Sequence, residues 1–119
     1  RGIYAHHTED GKIFVPFAVI AQSIGSEVVK EPGQVTIDLY GIRTVFREGS
    51  TEALRSGEPF ALTAPVYAGD MGELYISADD VAAVWNLRWR YAARNNIIDF
   101  DYAEEDFPRS KQPAAKDNA

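Results

Sequence analysis

The chain has 119 residues, 45% hydrophobic and 25% charged, the proportions of a folded domain long enough to bury a core of its own. A formal net charge of -6 argues against a phosphate-backbone partner, so nucleic acid is set aside. The absence of Cys excludes disulfides, thiolate catalysis and Cys-based zinc sites, and no apolar run approaches the roughly 20 residues of a membrane span.

Arg1 leads directly into strand-like sequence, so any targeting segment is expected to lie outside these residues. Ile3 to Val15 reads as a hairpin about the turn Thr8-Glu9-Asp10-Gly11. Pro16 ends the strand and suits the first turn of a helix, where its missing N–H costs nothing. Phe17, Ile20, Ala21 and Ile24 recur at helical spacing and make one apolar face, with Gly25 as the stop. Glu27 to Lys30 and Val35 to Tyr40 read as strands joined by Glu31-Pro32-Gly33-Gln34. Thr44 to Phe46 follows as a strand, Arg47 to Ser50 as a turn, and Glu52 to Arg55 with Pro59 to Leu62 as a hairpin across Ser56-Gly57.

From Gly72 the rhythm returns. Sliding the sequence by 61 residues sets Gly72 on Gly11, Tyr75 on Phe14, Ile76 on Val15, Val81 on Ile20 and Trp85 on Ile24. Carried on without a gap, it sets Trp89 on Val28 and Ile98-Asp99-Phe100 on Ile37-Asp38-Leu39. Upstream, Val66-Tyr67-Ala68 matches Ile3-Tyr4-Ala5 with a longer first loop. Ser77 can cap the second helix, Asp79 and Asp80 suit its positive end, and Asn86 replaces Gly25 as the stop. The expected fold is α+β, a duplicated β-hairpin–helix–β unit with an antiparallel sheet packed against two short helices. Residues 1–103 form the domain, with copies at about 3–40 and 66–102 and connecting strands at 41–65; residues 104–119, charged and proline-containing without apolar periodicity, read as a flexible linker or tail.

The stretches "DGKIFVPFAVIAQSIGSEV", "QVTI" and "EGSTEALRSGEPFALTAPVYAGDMGELYIS" resemble the copper amine oxidase N-terminal-like domain, over most of Ile3 to Phe100. Gly49-Ser50, Ala53, Gly57, Leu62, Ala64-Pro65 and Val66 fall where that family places them. The sequence departs from the pattern at Ala18-Val19, where Leu-Arg is usual, and at Lys30 and Tyr91, near a common Trp; the second copy lacks the Val-Pro-Leu-Arg signature. The resemblance implies a repeated, non-catalytic stalk or accessory module of exported Gram-positive envelope proteins, where related modules accompany amidases and carboxypeptidases. It implies neither copper nor oxidase chemistry.

Candidate chemistry is sparse. His6 and His7, with Glu9 and Asp10, carry metal-binding groups, but adjacent strand residues point to opposite faces, so a surface hairpin is the preferred reading and no metal or cofactor is assigned. With no other His, a Ser-His-Asp arrangement has no recognisable context, and no catalytic residue is assigned. Asp79-Asp80 reads as a helix start before it reads as an acid-base pair. No glycine-rich phosphate cradle is present.

In Leu87-Arg88-Trp89-Arg90-Tyr91, alternation sets the arginines on one face and Leu87, Trp89 and Tyr91 on the other. Trp85 and Trp89 match the expected core positions Ile24 and Val28, so packing is their preferred role over sugar stacking. Arg88, Arg90 and Arg94 make a basic spot and, with Tyr91, are the candidate binding residues; a solvated sheet face is the competing reading. The expected partner is peptidoglycan or another cell-wall polymer, or else a partner protein or attached catalytic domain, at an extracellular or cell-wall location. A protein-interaction or oligomerisation module is the alternative.

Overall fold

Turn-forming residues punctuate the chain so often that its strands are short and its two helices brief. The structure, a computed structural model, describes residues 2–4, 6, 7, 10–69 and 71–102, with side chains over 10–69 and 71–101. In chain order the elements are β1 (Gly2–Tyr4), β2 (His6–His7), β3 (Ile13–Val15), α1 (Phe17–Ser23), β4 (Glu27–Glu31), β5 (Gln34–Leu39), β6 (Ile42–Arg47), β7 (Glu52–Arg55), β8 (Glu58–Ala61), β9 (Tyr67–Ala68), β10 (Leu74–Ser77), α2 (Ala78–Trp85), β11 (Leu87–Ala92) and β12 (Ile97–Tyr102). The named strands pair antiparallel in three sheets, ordered β1-β12-β11, β2-β3-β10-β9 and β4-β5-β6-β7-β8. The shared sheet expected from the sequence is thus divided. Its strands break where β3 and β10 run straight into helices at Phe17 and Ala78. The expected tail, 104–119, lies outside the described residues.

The registers relate the two halves. Val15 lies opposite Ile76 where β3 meets β10, and both are buried. On either side, His6 pairs with Phe14 and Tyr67 with Tyr75, two pairs separated by the same 61 residues. In the β4–β5 hairpin Val28 opposes Ile37 across a turn at Pro32-Gly33; in β11–β12 Trp89 opposes Phe100 across a loop at 93–96. That loop is two residues longer, so Phe100, not Ile98, takes the position of Ile37, and the ungapped match fails there.

The expected hairpin from Ile3 forms only from His6. β1 instead joins β12, with Ile3 opposite Ile98, beside β12 as β6 is beside β5, where Phe46 opposes Val35. Pairing with β1 satisfies backbone groups that β12 would otherwise leave on an open edge.

The helix ends follow local chemistry. Ser77 Oγ accepts the Asp80 N–H at 3.4 Å, and Asn86 stops α2 in the left-handed region (φ 56°, ψ 52°). Asp80 is buried, and its Oδ1 accepts the Thr63 N–H at 2.8 Å, fastening the segment after β8 to α2. Arg55 Nε donates to the Val84 carbonyl at 2.8 Å, holding β7 on the last turn of α2. Gly25 (φ +88°) follows α1 as expected, but Ile24, expected in the core, is 47% exposed. α1 ends at Ser23, so the apolar face loses its last member.

Trp85, at the matching end of α2, is 3% exposed. Its Nε1–H donates to the carbonyls of Leu39 (3.1 Å) and Ile42 (3.3 Å), either side of the β5–β6 turn. Its ring lies 5.1 Å from Phe17 and 6.0 Å from Phe46. Trp85→Phe, which keeps most of the volume but removes the N–H shared between the two carbonyls, is expected to lower unfolding stability by about 0.5–1.5 kcal/mol; Trp85→Ala, which also opens a cavity, by about 3–5 kcal/mol. Urea unfolding of the two variants checks the order and the size.

On the four-stranded sheet the Tyr67 and Tyr75 rings stack at 5.2 Å, and Phe14 meets Tyr67 edge-on at 5.1 Å. Burial, then the neighbouring Tyr75, raises the Tyr67 pKa above its ordinary 10.0. Above pH 10.0 the unfolded chain releases a proton that the folded chain retains, so this contribution is whole below that pH and is lost as pH rises beyond it. Tyr67→Phe should flatten the alkaline fall in urea midpoint relative to the unsubstituted chain.

Candidate functional site

β11 alternates as its sequence directs. Leu87, Trp89 and Tyr91 are half-buried and packed on the core, while Arg88 and Arg90 are exposed. Antiparallel register puts Asp101 directly opposite Arg88 and Asp99 directly opposite Arg90. Residues facing each other across such a pair share a sheet face, so the outer face of this hairpin carries a row of two cations on β11 facing a row of two anions on β12. The basic spot expected from the sequence is therefore charge-balanced at its centre.

These residues line an open concavity of about 590 Å³, completed by Trp89 and Phe100. The aromatic rings turn the other way. Trp89 Nε1 donates to Asp79 Oδ1 at 3.1 Å on the first turn of α2, and the Phe100 ring meets Phe17 edge-on at 5.4 Å. Asp79 thus anchors Trp89 while its neighbour Asp80 holds Thr63, and the two adjacent carboxylates act on different partners. Both tryptophan rings are used in packing, and the concavity's chemistry rests with its four charged side chains.

Of the four residues singled out in the sequence, Arg88 and Arg90 line this concavity together. Tyr91 is on the core side of the strand, where its Oη donates to Asn96 Oδ1 at 2.8 Å and steadies the 93–96 loop. Arg94 is exposed on that loop and does not line the concavity. Sequence reasoning missed Asp99 and Asp101. The alternation in "IIDFDY", read as the return strand of the hairpin, was the signal that would have found them.

Opposite charges facing each other on an exposed sheet face interact by only about 0–1 kcal/mol, so a ligand's own charges can engage either row at little cost. The geometry offers guanidinium donors and carboxylate acceptors in rows about 5 Å apart, as neighbouring strands dictate. The side chains of His6 and His7 lie outside the described residues, and among those described no group of three His, Cys, Asp or Glu is placed to hold a metal ion. No helix among them is long and apolar enough to cross a membrane.

No curated protein matches the chain, and no solved structure matches it. A family model does: the Copper amine oxidase N-terminal domain matches residues 4–99, from the end of β1 into β12. With most of its length and nearly all its described elements inside that match, the chain belongs to the Copper amine oxidase N-terminal domain family.

Proposed function

We propose that this chain is a non-catalytic accessory module of an exported bacterial envelope protein, made of two copies of one hairpin–helix–hairpin unit. It binds the cell wall, or positions an attached catalytic domain against it, through the outer face of β11–β12. Family membership supports the accessory role, since the matched model describes an N-terminal domain. The matching registers on both sides of the Val15–Ile76 pair support the duplication. The copper of the family's name finds no ligand set among the described residues, and nothing in this reading passes through a metal.

The observation that carries the binding reading is the concavity in which Arg88 and Arg90 stand opposite Asp101 and Asp99. Donors and acceptors in equal number suit a polymer that itself bears both amines and carboxylates, such as the peptide stems of peptidoglycan, better than a purely anionic one. Titrating the labelled chain with peptidoglycan fragments should give saturable shifts at the amides of Arg88, Trp89 and Arg90. Charge reversal at both arginines should weaken binding about tenfold, the size expected when two exposed charged contacts are lost. Shifts that are absent or scattered over the surface would reject this face.

The competing reading, a protein-interaction or oligomerisation module, draws on β4, which ends its sheet and exposes Val29 at 51%. Lys30 and Glu31 beside Val29 and Pro32 after it are residues that blunt an edge against strand addition. The wall-binding reading therefore predicts a mass by sedimentation that stays at one chain as concentration rises.

A further inference from the structure

The three sheets end in β1 and β11, β2 and β9, and β4 and β8, and these edge strands are not equally open to another strand. β1, β2 and β9 are only two or three residues long. β4 carries Lys30 and Glu31 and turns at Pro32, and β8 contains Pro59, residues that blunt an edge. β11 runs for six residues without Pro, Gly or Lys, and β12 pairs with it residue for residue over that length. Among the described residues no strand pairs with its other side. In an antiparallel sheet alternate residues turn N–H and C=O to each side, so this edge presents the row of backbone groups that a further strand bonds to.

Both faces of the sheet also stop short at β11. Inward, Leu87, Trp89 and Tyr91 pack on the core yet stay half-buried, whereas Ile98, one strand further in, is wholly buried. Outward, Arg88 and Arg90 are exposed, and Arg94 on the loop that continues β11 adds a third cation against the two acids Asp99 and Asp101. A guanidinium has more N–H donors than one facing carboxylate takes up. β12 shows which sequence suits β11. Its Asp99 and Asp101 stand opposite the arginines, and Ile98, Phe100 and Tyr102 stand opposite Tyr91, Trp89 and Leu87. A second copy does not suit it, because β11 paired antiparallel with itself, outer faces together, puts arginine opposite arginine.

We infer that β11 is a docking edge for an extended protein segment with acidic residues at alternate positions and apolar residues between them, which adds to the sheet as a further strand. Its carboxylates meet Arg88 and Arg90, and its apolar side chains cover Leu87, Trp89 and Tyr91. The inference uses the same arginines as the wall-binding reading but does not rest on it, since this ligand meets the edge of the strand and not the outer face of the hairpin.

The probe is the capped L-peptide acetyl-Thr-Ile-Asp-Phe-Asp-Thr-amide, titrated into the labelled 119-residue chain. It should slow amide exchange along β11 and give backbone cross-relaxation peaks to that strand. Lysine in place of both aspartates should weaken binding about tenfold, and Arg88→Glu with Arg90→Glu should reverse the preference. Methylating one alternate set of peptide amides should abolish binding and methylating the other should spare it, because only one set faces the edge. This last arm uses the unsubstituted chain, so it holds whether or not the charge-reversed variant folds. Equal binding of the aspartate and lysine peptides overturns the inference, as does equal tolerance of the two methylated sets. So does an edge of β11 as protected in the free chain as β12. Peptidoglycan shifts without peptide binding would sink this inference alone, and peptide binding without peptidoglycan shifts would sink the wall-binding reading alone.

Discussion

Everything else in this structure depends on the antiparallel contact between β3 and β10, where Val15 and Ile76 face each other out of solvent. Each strand gives way at once to a helix, so fixing this pair fixes where both helices begin. α1 packs against β10 as well as against β4 and β5, and α2 against β3 as well as β10. Neither half keeps a core to itself. Trp85 crosses to the β5–β6 turn, Phe17 reaches Phe100, and β1 completes the sheet at the far end of the chain. Burying a large apolar side chain is worth about 1.5–3 kcal/mol, and the largest such residues, Phe17, Phe46, Ile37 and Ile76, come from both halves.

The same interlocking sets up the charged face. β11 is held through Trp89 to Asp79 on α2, and β12 through Phe100 to Phe17 on α1. Each strand of the hairpin is thereby tied to a different helix. With its aromatic side committed to the interior, the hairpin turns only Arg88, Arg90, Asp99 and Asp101 outward at its centre. A surface placed by rigid elements loses less freedom on binding than one carried by a loop.

What could be read in the sequence was whatever local chemistry decides. Ser77, Asn86 and Gly25 mark helix ends through backbone preferences that act within a turn, and all three do so in the structure. The strands of the first half came out within a residue or two because Pro32-Gly33 and Ser56-Gly57 are turns in any context. β1 went astray because pairing with β12 joins residues more than 90 positions apart, and nothing within the letters of Ile3 and Tyr4 names that partner. Ile24 and Trp85 have the same place in the apolar pattern and opposite fates, because periodicity reports a helix face and not what later covers it. Likewise Arg88 and Arg90 looked like a basic spot until the longer 93–96 loop set the register that brings Asp101 and Asp99 opposite them.

If the β3–β10 contact makes one cooperative unit of the two halves, native-state hydrogen exchange measures it most directly. The slowest amides of β5 in the first half and β12 in the second should exchange with the same free energy, equal to that of global unfolding, at every denaturant concentration. An opening that releases β12 while β5 stays protected would show that the halves fold separately, and would contradict the central role of the Val15–Ile76 pair.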